Sequence, residues 1–453
     1  MSRLFGTDGI RGVANRELTP ELALRVGRAA ASTLLDASED RARIIVGRDT
    51  RLSGTMLEAA LIAGITSVGR DAVSIGIVPT PAVACVTRAA GGAAGVVISA
   101  SHTPIADNGI TFFGSDGFKL SDDLEDRIES MLERPDLPRP TGTGVGNARV
   151  MQSLAREYYH ELYDGAPRLD GLHVIVDAGF GAAYAIAPYA LRKLGANVTE
   201  MHCEADGARI NVACGATDLR ALQDAVRSAN ADGGRRPIGV AFDGDADRAL
   251  FVDETGAVAT GDHVLFAIGL EMKARGELSG DAIVATVMSN VGFERALRTH
   301  GIGLIRAPVG DRYVLEAMRS HGCRLGGEQS GHVIDFRYNT TGDGPRTAVT
   351  LLGILAAHRT TLHDLVREVV YAPQVLLNVR TEHRQVLEVP AVCEAIAAAR
   401  AELGEAGRLV VRPSGTEPLI RVMAEGDDPA VVERLAGRVA KHIEQEVERY
   451  FSM

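Results

Sequence analysis

Apolar and polar positions follow two rhythms along this chain. Short β-branched runs at Arg43–Gly47, Ala72–Ile75 and Gly95–Ala100 read as strands, and longer one-faced apolar stretches over about Thr55–Val68 and Pro81–Ala89 read as helices. Thr19-Pro20-Glu21 supplies an N-cap, a proline at the first helical position and an early acid, opening a helix through Leu22, Val26, Ala29 and Ala30. Such alternation predicts parallel or mixed sheets covered by helices. Glu133–Gly146 is dense in residues that cannot continue a helix or a central strand, so the first domain is expected to end near it. A second α/β unit opens at the strand His173–Asp177 and a third near Gly261. After Tyr371 the order becomes strand, helix over about Val386–Leu403, strands Leu409–Arg412 and Leu419–Ala424, and a helix from Pro429. The predicted fold class is α/β with four domains, three similar α/β units with mixed sheets plus a C-terminal α+β domain, over residues 1–150, 151–255, 256–370 and 371–453.

Composition narrows the function. At 453 residues the chain exceeds what one core organises, and no run of about 18 apolar residues offers a membrane span. The first residues, MSRLFGTDGIRG, lack the apolar stretch of a signal peptide, so a cytoplasmic location is expected. Cys85, Cys203, Cys214, Cys323 and Cys393 are scattered and form no C-x-x-C pair, so their spacing encodes neither a disulfide framework nor a zinc site. A net charge of −11 argues against nucleic acid and anionic membranes as partners, leaving any anionic ligand to local arginine clusters. Lysine is confined to positions 119, 193, 273 and 441.

Ligands of open α/β sheets bind beyond the carboxyl ends of strands, and four loops there carry chemistry. Ser99-Ala-Ser101-His102-Thr-Pro104 follows the strand ending at Ile98; it reads as a poised hydroxyl or as an ordinary Ser-Pro turn. A serine-hydrolase reading is disfavoured because no G-x-S-x-G elbow exists and adjacent side chains such as Ser101 and His102 are not expected to meet. Asp243-Gly-Asp245-Ala-Asp247-Arg248 lies between the strands Ile238–Phe242 and Ala249–Val252. Its three carboxylates repel one another unless a hard cation sits among them. A calcium loop is excluded because Arg248 stands where glycine is needed and strands flank it; solvated acids are the bland alternative. Gly326-Gly-Glu328-Gln-Ser330-Gly-His332 offers hydroxyl-binding groups on a backbone free to approach a ligand, or is a glycine-rich strand connection. Arg412-Pro-Ser414-Gly415-Thr416-Glu417-Pro418 with Arg421 reads as a phosphate nest or a decorated hairpin turn. Gly179-Phe-Gly181-Ala-Ala-Tyr184 lacks the last glycine of a dinucleotide fingerprint, and the absence of any Gly-Lys dipeptide excludes a Walker A loop.

In this order, and over essentially the whole chain, these loops resemble the α-D-phosphohexomutase family. Phe5-Gly-Thr-Asp-Gly-Ile-Arg11-Gly12, Val46-Gly-Arg48-Asp-Thr-Arg51, Gly327-Glu-Gln-Ser-Gly-His332 and Thr341-Gly-Asp-Gly344 extend the match. One loop departs from it: Asp177-Ala-Gly-Phe-Gly-Ala stands where close relatives are expected to carry a Cys-Ala-Asn-Gly type sequence. The resemblance implies four domains around a central cleft and a Ser101 that is phosphorylated in the active enzyme. It also implies one Mg²⁺ held by phospho-Ser101, Asp243, Asp245 and Asp247. Sugar contacts are implied for Glu328 and Ser330, with Gly327 and Arg312, and a phosphate grip for Arg412, Ser414, Gly415, Thr416 and Arg421. Arg11, His102 and Arg248 join the catalytic set. The implied reaction moves a phosphoryl group between the 1- and 6-hydroxyls of a hexose phosphate, glucosamine phosphate favoured. Glucosamine 1,6-bisphosphate is its bound intermediate, and its product feeds UDP-N-acetylglucosamine and cell-wall precursors. Glucose or mannose phosphate as substrate, and a phosphosugar phosphatase, are the alternatives; the chain acts as a monomer or a homodimer. For the base that takes the sugar proton, Lys119 comes first and His332 second, because a lysine among cations can release a proton and an arginine cannot.

Overall fold

The computed structural model describes residues 3–6, 8–34, 42–134, 136–231, 236–404, 407–414 and 418–451. It divides into two compact units, Met1–Thr286 with Ile305–Arg367, and Val287–Leu304 with Glu368–Met453. Among the described residues there are four sheets, of six, five, four and three strands.

The first sheet runs in the order Ile10–Val13, Asp107–Gly114, Ala94–Ile98, Arg43–Arg48, Asp71–Ile77, Ala148–Val150. Its three central strands pair in parallel, and Asp107–Gly114 is antiparallel to both of its neighbours, so the sheet is mixed. The central strands are continuous apolar runs because both faces are covered. Ile44, Val46, Val96, Ile98 and Phe112 point to one face, against Val26 and Leu57 of the helices Pro20–Leu34 and Ser53–Ser67. Ile45, Val73, Val97 and Phe113 point to the other, against Val83 and Tyr158 of the helices Thr80–Ala89 and Arg156–Tyr163. After the predicted loop the chain returns to this sheet as its edge strand Ala148–Val150.

The second sheet is ordered Val258–Ala259, Ala249–Val252, Ile238–Phe242, His173–Asp177, Asn197–Met201. Within the third, Ala282–Thr286 pairs in parallel with Leu325–Gly327, which turns back antiparallel as Val333–Asp335. Three sequence-predicted loops therefore leave the carboxyl ends of strands, after Ile98, Phe242 and Gly327. In the second unit, Leu419–Gly426 lies between Gln374–Arg380 and Gly407–Pro413, all antiparallel, with the helices Pro390–Leu403 and Pro429–Phe451. The helix expected from Val386 begins at Pro390 instead, after a 3-10 turn over Arg384–Glu388. Residue 389 precedes a proline and is pushed out of the helical region, whereas proline itself suits a first helical turn.

Asp107-Asn108-Gly109 opens the strand Asp107–Gly114. A Cβ on Gly109 would come within 2.5 Å of the Ser99 carbonyl oxygen and 2.6 Å of Arg11 Cδ, so only glycine lets this strand pass under the serine loop. Gly109→Ala is expected to destabilise the protein by about 1–3 kcal/mol through overpacking. Gly437→Ala, within the helix Pro429–Phe451 and with nothing within 4 Å of the added atom, should stabilise by about 0.5–1 kcal/mol. Denaturant melts of the two variants should therefore move in opposite directions.

Candidate active site

The serine loop is held from behind by one buried guanidinium. Arg51, with a fully buried side chain, donates from Nε to Asp49 Oδ2 at 3.0 Å and from Nη1 to the carbonyls of Pro104 and Asp107 at 2.5 and 3.1 Å. Its Nη2 donates to the carbonyls of Ser101 and Thr103, both at 2.8 Å. A guanidinium has five N–H donors, and all five are used. Asp49 accepts the Ser99 hydroxyl at 2.6 Å, and Ser99 Oγ accepts the Ser101 amide at 2.9 Å. Burial raises the Asp49 carboxyl, and Arg51 opposes that rise.

Thus clamped, Ser101 takes a left-handed conformation, φ 50°, and is nearly buried. Its hydroxyl donates to Asp243 Oδ2 at 2.6 Å and lies 3.2 Å from His102 Nδ1. The two adjacent side chains do meet, against expectation, because the left-handed residue turns both to one side. His102 is pushed down to about 4 by burial and by Arg248 and Arg11, so it is neutral near pH 7.

The aspartate loop turns tightly at Ala246, also left-handed at φ 56°. One oxygen from each of Asp243, Asp245 and Asp247 lies within 4.8 Å of the others. Asp245 Oδ2 accepts the Thr80 hydroxyl at 2.5 Å, while Asp245 Oδ1 and Asp247 Oδ1 are buried without a hydrogen-bond partner. Burial first, and a neighbouring carboxylate second, push Asp243 up to about 6 and Asp245 and Asp247 each to about 7. Arg11 acts against this rise at Asp245, and Arg248 at Asp243 and Asp247, so both cations face the cluster. Orphaned buried oxygens on ionisable groups are what a hard divalent ion would satisfy.

The glycine-rich loop meets the aspartate loop directly, through a bridge between Arg248 and His332 and the Ala249 amide on the Gly331 carbonyl at 3.1 Å. Glu328 accepts the Gly310 amide and the Ser330 hydroxyl, each at 3.2 Å. His332 is buried, its Nε2 3.7 Å from Asp247 and 3.8 Å from Asp311, and neither ring nitrogen makes a hydrogen bond. The Thr341–Gly344 motif explains itself here: a Cβ on Gly342 would sit 2.2 Å from His332 Nε2.

Two expected residues behave differently. Lys119 forms ion pairs with Asp311 and, at 3.5 Å, with Asp8. Burial pulls its ammonium down, but these carboxylates more than reverse that and hold it well above the ordinary lysine range, a donor rather than a base as it stands. Arg312, expected beside the sugar, is nine-tenths buried. It spends its donors on Asp122, Glu125 and the Leu120 carbonyl, the last two at 3.0 Å, and so ties down the helix Asp122–Met131. In the second unit Arg412 and Arg421 are cross-strand partners and Ser414 is buried beside them; Gly415 and Thr416 lie outside the described residues. Sequence reasoning gave no role to Asp49, Arg51, Thr80 or Asp311; the strand-end motif Arg48-Asp-Thr-Arg51 was the available signal.

Models of four phosphoglucomutase/phosphomannomutase domains match this chain: α/β/α domain I over residues 2–139, domain II over 156–256, domain III over 260–372 and the C-terminal domain over 376–442. The chain belongs to the phosphoglucomutase/phosphomannomutase family. Full-length relatives within the family include the phosphoglucosamine mutases of Symbiobacterium thermophilum, 50% identical with 99% of this chain and 100% of that one covered, and Desulforudis audaxviator, 49% identical with 97% and 98% covered. Among solved structures, a phosphoglucomutase/phosphomannomutase family protein from Burkholderia thailandensis is 25% identical, with a TM-score of 0.82 and 98% of each chain covered. The Aspergillus fumigatus N-acetylphosphoglucosamine mutase, solved with GlcNAc-6P and magnesium, shares the fold at 18% identity, a TM-score of 0.68 and 98% and 96% coverage.

Two outcomes follow from this geometry. Arg51→Lys leaves buried acceptors unmatched, so it should cost about 1–3 kcal/mol for each. By loosening the Ser101 carbonyl it should lower mutase turnover by about 10²-fold with little change in KM, measured by steady-state kinetics. For the aspartates, the ordinary carboxyl value is 3.8. The ion-free folded protein therefore holds extra protons between about pH 4 and 7 and loses stability as pH rises through that window. A divalent ion binds the ionised form, so the rise in melting temperature on adding Mg²⁺ should be larger at pH 8 than at pH 6.

Proposed function

We propose that the protein interconverts glucosamine 6-phosphate and glucosamine 1-phosphate, using Ser101 as the phosphoryl carrier. The observation that carries this reading is the 2.6 Å bond from the Ser101 hydroxyl to Asp243, inside a cluster of three carboxylates with orphaned oxygens. Full-length relatives at about 50% identity that are named phosphoglucosamine mutase support the amino sugar. Among the described residues no helix is long and apolar enough to cross a membrane, and phosphorylated sugars suit a cytoplasmic site.

In the first half-reaction the bond from phosphorus to Ser101 Oγ breaks as one forms from phosphorus to a sugar hydroxyl oxygen, whose proton passes to a base. The resulting glucosamine 1,6-bisphosphate turns over, and the other phosphoryl group returns to Ser101 as the proton is given back. Asp243, Asp245 and Asp247 would hold Mg²⁺ with the phosphoserine, and that ion would supply charge neutralisation at the transferring group. Arg11 and Arg248 add fixed positive charge on the same cluster. His332 takes precedence over Lys119 as the base, because its ring nitrogens are free of hydrogen bonds while Lys119 is charged and paired. Lys119 then serves as a donor to the sugar phosphate, and neutral His102 positions the serine oxygen. Glu328 and Ser330 read sugar hydroxyls on the backbone of Gly327; Arg312 supports the fold nearby. The phosphate role of Arg412, Ser414, Gly415, Thr416 and Arg421 is supported by two guanidiniums at one register position followed by hydroxyls.

The test incubates the full chain with Mg²⁺ and glucosamine 6-phosphate, alongside the glucose and mannose analogues, and follows the 1-phosphate and the mass of the Ser101 peptide. The amino sugar should react fastest and the peptide should carry one phosphoryl group. Ser101→Ala should lose both, and His332→Asn should keep the phosphopeptide while turnover falls by about 10²–10⁴-fold. Release of inorganic phosphate in place of the isomer would replace this reading with a phosphatase.

A further inference from the structure

Behind the serine loop, the second sheet carries a group of side chains that the reaction does not use. Asp177 ends the strand His173–Asp177 and is fully buried. Its Oδ1 accepts the Gly179 amide at 2.9 Å, while its Oδ2 is buried and makes no hydrogen bond. His202 Nδ1 stands 3.0 Å from Asp177 Oδ1 and makes no hydrogen bond either. Cys214, fully buried, completes the group: one ligand atom from each of the three residues lies within 4.8 Å of the others.

We propose that Asp177, His202 and Cys214 form a second metal site, built for a zinc-class transition ion and distinct from the aspartate cluster. The donor set decides the class. A thiolate, an imidazole nitrogen and a carboxylate oxygen suit a borderline-soft ion, whereas magnesium and calcium take oxygen donors. Three protein ligands leave a fourth position for water. The ion replaces the Cys214 proton, which goes to solvent, and satisfies both the orphaned Asp177 oxygen and the His202 nitrogen. His202 keeps 27% of its side chain exposed, which gives the ion a way in. Sequence spacing hides the site because its ligands come from a strand end and from the two ends of a later segment, 25 and 12 positions apart.

Its position gives it a structural task. The segment from His202 to Cys214 contains Asn211, whose Nδ2 donates to the Ser101 carbonyl at 2.8 Å. An ion joining both ends of that segment to Asp177 fixes the prop beneath the phosphoryl carrier.

Cobalt absorption tests this on the full chain with Mg²⁺ in excess, since a thiolate-to-cobalt charge-transfer band cannot arise from the all-oxygen aspartate cluster. The expected result is one equivalent of Co²⁺ giving that band with tetrahedral visible absorption, displaced by Zn²⁺. Cys214→Ser should abolish the band and Cys203→Ser should leave it. His202→Asn, partly exposed and so compatible with folding even if the buried variant is not, should weaken Co²⁺ binding at least about tenfold. The proposal is overturned if wild-type protein gives no thiolate band at saturating Co²⁺. It is equally overturned if the band survives Cys214→Ser, depends on Cys203, or keeps its affinity in His202→Asn.

Discussion

A single guanidinium, fully inside the protein, decides where the Ser101 hydroxyl stands. Arg51 closes the serine loop by gathering four of its carbonyls and Asp49 into one planar fork, so the loop has no freedom to settle elsewhere. A buried charge of this kind contributes little net stability, because its desolvation offsets much of what its partners return. Its value is geometric. Ammonium donors on a flexible stem could not match five acceptors in one plane. The left-handed Ser101, the contact with His102 and the bond to Asp243 are all downstream of that clamp.

Against this fixed hydroxyl the protein sets a deliberate electrostatic imbalance. Three clustered carboxyls, each disfavoured as an anion by desolvation and by its neighbours, stand together, with Asp243 on the serine hydroxyl, and two arginines offset part of their charge. Such a site is poised to take up positive charge, whether as protons or as a divalent ion. Lys119 shows the same logic in reverse: it sits opposite Asp8 and Asp311 and is held charged. Placing its role therefore required knowing its partners as well as its residue type.

How far the sequence speaks depends on how local the cause is. His173–Asp177, Ile238–Phe242 and Ala249–Val252 match their predicted bounds, because each is an apolar run too short for a helix and ends at or just before an aspartate. The need for glycine at position 109 leaves no such mark, because it comes from a close approach to the Ser99 carbonyl and Arg11 that only the fold creates. The serine and aspartate loops were visible as motifs, and the structure places them in hydrogen-bond contact across 142 positions of chain. The pairing of Lys119 with Asp311 spans 192 positions and leaves no local mark, as does the capture of Arg312 by Asp122 and Glu125.

The backbone angle at residue 101 also restricts which amino acid can occupy that position. At φ 50° the chain is in a region that β-branched side chains enter only at considerable strain. Threonine carries the same hydroxyl and accepts the same modification in other settings, yet here its extra methyl would oppose the conformation the clamp imposes. Of the two hydroxyl residues, main-chain sterics alone favour serine at this position, independently of any chemistry proposed for it.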